Sequence, residues 1–174
     1  FLAHLAAKGR PMIVSTGMSD MEEIAQAVGV IKEAGDPPLT LLHCVSAYPA
    51  AAADANLRAM HSLTARFQVP VGYSDHTLGT EVAIAAAALG AQVIEKHFTF
   101  DRSLPGPDHK ASLEPDELRH LVEAIRNVEV ALGTGDKQPT AAELEIARIA
   151  RKSLIAACDI EAGSVLIAAM IAIR

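Results

Sequence analysis

The chain has 174 residues, of which 51% are hydrophobic and only 3% aromatic, so its core has to be assembled from Ala, Val, Ile and Leu, a composition that suits helix-covered parallel strands. A net charge of −6 excludes an extended nucleic-acid surface, which needs clustered Lys and Arg. The longest apolar runs, Ile84 to Leu89 and Val165 to Ile173, fall far short of the roughly 20 residues that cross a bilayer, which excludes a spanning helix.

In chain order, the first strand is expected over Met12 to Ser15, followed by a turn through Ser15-Thr16-Gly17-Met18-Ser19-Asp20. Ser19 or Asp20 caps a helix that runs to about Ala34, with Glu22 and Glu23 in its first turn where the helix dipole favours acids. A second strand, Leu39 to Val45, leads through Ser46-Ala47-Tyr48-Pro49 to a helix around Asn56 to Phe67. The third strand, Val69 to Ser74, and the fourth, Gln92 to Phe98, flank an alanine-rich helix from Thr80 to Leu89. A further helix starts at Glu114-Pro115-Asp116-Glu117, with Pro in its first turn, and continues to about Leu132. This is a βα unit repeated four times, the content of half an eight-stranded β/α barrel. An open flavodoxin-like sheet is the rival, but its glycine-rich phosphate loop is absent. After Gly133 a turn-rich linker leads to a helix from Ala141 to Ala150 and short strands around Ser153 to Ala157 and Val165 to Ile167, which reads as the start of a second, small domain. The expected division is therefore 1–133, 134–150 and 151–174.

The chain starts at Phe1 and stops at Arg174 directly after an apolar run, so it reads as a segment of a longer, cytoplasmic polypeptide. Cys44 and Cys158 have no CxxC spacing and no disulfide-dense context, and are expected as reduced, buried thiols.

His76 and His97 lie 21 residues apart, each near the end of a predicted strand. Alternation places Gly72, Ser74 and His76 on one face, and Val93, Glu95 and His97 on one face of the next strand. If that face lines a barrel, the two imidazoles meet at its mouth, where such folds keep their chemistry. Two imidazoles leave several positions on a cation for water and substrate, which suits Lewis-acid activation of a carbonyl; Mn²⁺, Mg²⁺, Co²⁺ and Zn²⁺ all remain open. The alternative is a pair of ordinary hydrogen-bonded loop histidines. Asp75 points away from His76, whereas Glu95 is placed to orient His97 or to pair with a lysine. Ser15, Ser46 and Ser74 fall at strand ends on the same rim, where they serve as phosphate donors or as turn and cap residues. His43 alternates outward beneath a helix, and His4, His61 and His120 read as surface positions. The segment from Asp101 to Lys110 is rich in charge, Pro and Gly, and presents Asp108 either to a polyol substrate or simply to solvent.

The motifs Ser15-Thr16-Gly17-Met18, Leu42-His43-Cys44-Val45-Ser46-Ala47-Tyr48-Pro49, Gly72-Tyr73-Ser74-Asp75-His76-Thr77, Glu95-Lys96-His97-Phe98 and Leu104-Pro105-Gly106-Pro107-Asp108-His109-Lys110 occur in that order. Together they resemble the sialic acid synthase family, which includes N-acetylneuraminate and legionaminate synthases. The resemblance implies the second half of a (β/α)8 TIM barrel followed by the beginning of an antifreeze-like (SAF) domain, in a homodimer. It implies condensation of phosphoenolpyruvate with an N-acetylated hexosamine to a nonulosonic acid plus phosphate. It further implies that His76 and His97 bind Mn²⁺ or Mg²⁺, that Ser15, Ser46 and Ser74 contact phosphoenolpyruvate, and that Tyr48 and Asp108 bind the amino sugar. The family's phosphate-binding lysines and catalytic glutamate belong to strands upstream of this sequence, so the 174 residues alone are expected to lack synthase activity. The competing readings are a non-catalytic assembly or ligand-binding segment and, on fold analogy alone, another metal-dependent barrel aldolase or hydrolase.

Overall fold

The computed structural model describes residues 1–174, which divide into two compact units, Phe1–Gly133 and Thr134–Arg174. In the first unit, four strands, β1 (Met12–Ser15), β2 (Leu39–Cys44), β3 (Val71–Asp75) and β4 (Ile94–Lys96), form one parallel sheet in sequence order. A short helix α1 (Leu2–Ala6) precedes β1, and α2 (Met21–Ala34), α3 (Ala59–Phe67), α4 (Glu81–Ala88) and α5 (Pro115–Leu132) follow the four strands in turn. The expected βα array is therefore present as a parallel half-barrel sheet. β4 is shorter than the seven residues expected, because Phe98 leaves the ladder to bridge Leu113. The single-turn helix α1 has no counterpart among the expected elements.

Local chemistry explains the boundaries. Asp20 caps α2: one of its carboxylate oxygens accepts from the backbone N–H groups of Glu22 and Glu23, both at 2.9 Å, and Glu23 returns a hydrogen bond to the Asp20 N–H. Glu114 and Glu117 make the corresponding reciprocal pair at the start of α5, with Pro115 at its first position. Gly35 ends α2 where a Cβ would press on the Ala6 carbonyl, so α1 packs closely over that end.

Paired residues in a parallel ladder share a face. Register partners Leu41 and Val71, and Tyr73 and Ile94, point to the side covered by α2, α3 and α4, where they join Ile24, Val28, Ile31, Leu63, Phe67 and Ala86 in the main core. This is the outer face. Ser15, Leu42 and Gly72, then Cys44, Ser74 and Glu95, occupy the inner face. Gly72 is required there: a Cβ would meet Val93 Cβ at 2.9 Å and Leu42 Cδ2 at 2.6 Å. A second cluster of Ala83, Leu113 and Leu121 joins α4 to α5.

The second unit holds α6 (Ala141–Ala150) and an antiparallel pair of β5 (Leu154–Ala156) with β6 (Ile171–Ile173). The strand expected at Val165 to Ile167 is not one; the pairing falls six residues later, after the chain turns through Ala168–Met170. An apolar run of nine residues carries no internal mark of which three will pair, and the antiparallel register with β5 decides it. Cys158 is exposed, contrary to expectation, because this small unit buries none of its side chains; Cys44 is buried, and both are free thiols.

Candidate metal and substrate site

His76 and His97 stand one residue beyond the ends of β3 and β4, on the inner side of the sheet, with ring centroids 5.3 Å apart and an interplanar angle of 64°. His76 is nearly buried and its Nδ1 lies 2.9 Å from the Val45 carbonyl oxygen. A carbonyl can only accept, so Nδ1 carries the hydrogen and the Nε2 lone pair of the neutral ring is left free. A hydrogen bond of this kind is what orients a ligating imidazole and raises its basicity. The residues therefore fit a divalent cation in the chemistry of their donors. No group of three or more His, Cys, Asp or Glu side chains gathers to enclose one, so remaining positions would fall to oxygen ligands from elsewhere.

Tyr48 covers both imidazoles. Its ring lies 4.2 Å from that of His76 and 5.7 Å from that of His97, centroid to centroid. The backbone explains this placement: the Ala50 N–H donates to the His76 carbonyl at 2.9 Å, which ties the loop after β2 to the end of β3. Cys44 Sγ lies 3.7 Å from His76 Nδ1.

The three serines are not equivalent. Ser74 is buried and donates its hydroxyl hydrogen to Glu95 Oε1 at 2.7 Å, so Glu95 engages Ser74 rather than His97 or a lysine. Ser46 sits against Gly17, where a Cβ would collide with its Oγ, and lies 3.9 Å from Cys44 Sγ. Ser15 is exposed on the inner face, level with Leu42 and Gly72 in the register. No hydrogen bond joins one of these hydroxyls to another.

Asp108 Oδ2 is 3.9 Å from His97 Nδ1, longer than a hydrogen bond. The loop that carries Asp108 is fastened at several points. His109 Nδ1 meets Thr99 Oγ1 at 2.8 Å, and Ser112 Oγ donates to the Asp108 carbonyl at 2.7 Å. Arg102 reaches across with its backbone N–H to Glu114, its Nε to the Ser112 carbonyl and its guanidinium to Glu117. The hydrogen bond from Arg102 holds the Glu117 carboxyl below the usual range, and hydrogen bonds from Ser103 do the same for Asp101. His43 faces outward and bonds the Ala55 carbonyl at 2.9 Å, as its alternation requires.

Two features were not foreseen from the residue pattern. Asp75 and Lys96, the immediate predecessors in sequence of His76 and His97, form an ion pair at 2.8 Å on the outer face, with both side chains almost wholly shielded from solvent. The pairing Asp-His and Lys-His on adjacent strands was the available signal. The second is a cleft of about 490 Å³ lined by Thr16, Met18, Asp20, His43, Cys44 and Arg58, which opens beside the β1 and β2 loops and includes neither His76 nor His97.

A parallel βα sheet in sequence order, with polar side chains gathered past the C-terminal ends of its strands, has the arrangement of half a β/α barrel. The model of the NeuB family matches residues 1–137, and the chain belongs to this sialic acid synthase family. It is 48% identical to N,N'-diacetyllegionaminic acid synthase of Legionella pneumophila, over 94% of this chain and 47% of that protein. It is 41% identical to N-acetylneuraminate-9-phosphate synthase of Mus musculus, over all of this chain and 48% of that one. Among solved structures, N-acetylneuraminic acid synthetase from Leptospira borgpetersenii, crystallised with citrate, superposes with a TM-score of 0.76 at 41% identity, covering 86% of this chain and 53% of that one. The chain thus spans about half the length of the relatives it matches.

Proposed function

We propose that this chain is part of a synthase that condenses phosphoenolpyruvate with an N-acetylated hexosamine, such as N-acetylmannosamine, to give a nonulosonic acid and phosphate. The observation that carries the reading is the His76 and His97 pair, with ring centroids 5.3 Å apart and one imidazole held by the Val45 carbonyl through Nδ1. Family membership and the synthases named among its relatives support the same reaction class.

In this reading His76 and His97 hold Mn²⁺ or Mg²⁺, which would supply Lewis-acid polarisation of the sugar aldehyde. The enol carbon of phosphoenolpyruvate bonds to the aldehyde carbon, whose oxygen takes up a proton to become a hydroxyl; water, losing a proton, adds at the phosphate-bearing carbon of phosphoenolpyruvate, and the bond from that carbon to the phosphate oxygen then breaks to leave the keto group and free phosphate. Ser15, Ser46 and Ser74 bind the phosphate or carboxylate oxygens; for Ser74 this requires its hydroxyl hydrogen to turn away from Glu95. Tyr48 packs the sugar against the imidazoles and limits water there, and Asp108 accepts hydrogen bonds from sugar hydroxyls at the rim. Residues 1–133 form the second half of a TIM barrel, 134–150 a linker and helix, and 151–174 the beginning of an antifreeze-like domain, for which the β5–β6 pair is the support. The complete protein acts as a homodimer in the cytoplasm; no helix is long and apolar enough to cross a membrane.

In the complete protein, His76→Ala and His97→Ala are each expected to lower sugar-dependent phosphate release from phosphoenolpyruvate on the order of 10³-fold with little change in Tm. Normal turnover in both variants rejects the assignment. Phosphate release that does not require an amino sugar rejects the substrate class.

A further inference from the structure

We propose that the buried Asp75–Lys96 pair is the positioning device of the two imidazoles: a clamp on the outer face that sets the spacing of His76 and His97 on the inner one. The proposal rests on the reading of these histidines as a metal pair.

The β3–β4 register ends at Asp75 and Lys96. One residue further on, the two backbones part company. The His76 carbonyl accepts from Ala50, on the β2 side, whereas the His97 carbonyl accepts from Leu113, on the loop leading into α5. The histidines themselves are not register partners in the β3–β4 ladder. Lys96 adds a side-chain link between the two strands at this point. Its Nζ donates to Asp75 Oδ2 at 2.8 Å and to the Thr77 carbonyl at 2.7 Å, so it grips the residues on both sides of His76. Asp75 Oδ1 closes the ring by accepting from the Thr77 N–H at 2.9 Å and the Thr77 hydroxyl at 2.8 Å. Both charged side chains are at most 3% exposed. Such a pair is an expensive way to gain stability, since apolar residues of similar volume commonly do as well, and its best-attested use is to fix register. Here the register it fixes is that of the residue after each partner. Alternation sends Asp75 and Lys96 to one face and His76 and His97 to the other, so the clamp works without occupying the substrate side.

The test compares Lys96→Gln, which keeps a donor, with the double variant Asp75→Asn/Lys96→Met, in the complete protein. Three quantities are read: Tm, Mn²⁺ affinity from the free-ion paramagnetic resonance signal, and the His76–His97 ring separation in crystals. Lys96→Gln is expected to lower Tm by about 10 °C, and the double variant to recover much of that loss. Both are expected to bind Mn²⁺ about tenfold or more weakly than the wild type, with a changed ring separation. A folded variant with wild-type Mn²⁺ affinity and the 5.3 Å separation overturns the clamp. Affinity that returns to the wild-type value in step with Tm also overturns it, since that is a purely structural role. His76→Ala separates the two readings: if its Mn²⁺ affinity equals that of the wild type, the metal assignment fails, and the ring separation alone then decides the clamp.

Discussion

The two faces of the same four strands differ in how completely their side chains are partnered. On the outer face Leu41, Val71 and Tyr73 are sealed under α2, α3 and α4, and the only charges, Asp75 and Lys96, neutralise each other. On the inner face Ser15 and Glu95 are exposed, and His76 engages the Val45 carbonyl through Nδ1 alone of its two ring nitrogens. A one-residue shift along a strand is all that separates the two environments. The buried core and the more open face are thereby divided between alternate positions of the same segments, and substitutions on the two faces should fail in different ways.

The sharpest break of this division is expected deep in the outer face. Leu41→Ala removes a side chain that is 1% exposed, and should destabilise the protein by about 3 kcal/mol in a denaturant titration without a selective loss of Mn²⁺ affinity. A loss of less than about 1 kcal/mol would mean that the helical layer closes over the gap. Gly72→Ala tests the inner face below the site. The added methyl meets Leu42 and Val93, and a cost of about 2 kcal/mol is expected from forced repacking. An unchanged Tm would show that β3 and β4 are free to separate there.

The smallest expected effect has the opposite sign. Tyr73 is fully buried and its hydroxyl has no hydrogen-bond partner, so Tyr73→Phe should be neutral or stabilise by about 1 kcal/mol. Burial foremost, with the charges of Asp75 and Cys44 adding to it, pushes the Tyr73 phenol from 10.0 up to about 12. A pKa raised by folding stabilises the protein fully below the unfolded value and less as pH rises toward the folded one. Wild-type Tm should therefore decline between pH 10 and 12 more steeply than that of Tyr73→Phe. Parallel pH profiles would show that the phenol is less enclosed than its packing indicates.

Much of the fold was legible in advance because its signals are local. Asp20 with Glu23, and Pro115 after Glu114, mark helix starts within four residues of sequence. The outward placement of His43 followed from alternation alone. The short strand misplaced at Val165 to Ile167 shows the limit, because uniform apolar stretches contain no register. In the site, the convergence of His76 and His97 was foreseen, but the Val45 carbonyl that fixes a tautomer was not, since a backbone oxygen 31 residues away leaves no trace in side-chain pattern. The Glu95 carboxylate was assigned to His97 or a lysine; it took Ser74 because those two are direct register partners on one face.

The order of βα units, the helix caps and the face on which each strand residue lies were determined by the sequence itself, because periodicity and capping act over a few neighbouring residues. Tertiary structure alone decided that Tyr48 covers the two imidazoles, that Lys96 brackets His76 through Asp75 and Thr77, and that Arg102 fastens the Asp108 loop to α5. Each of these contacts joins residues brought together by strand register and loop closure, and their geometry exists only once the sheet has paired.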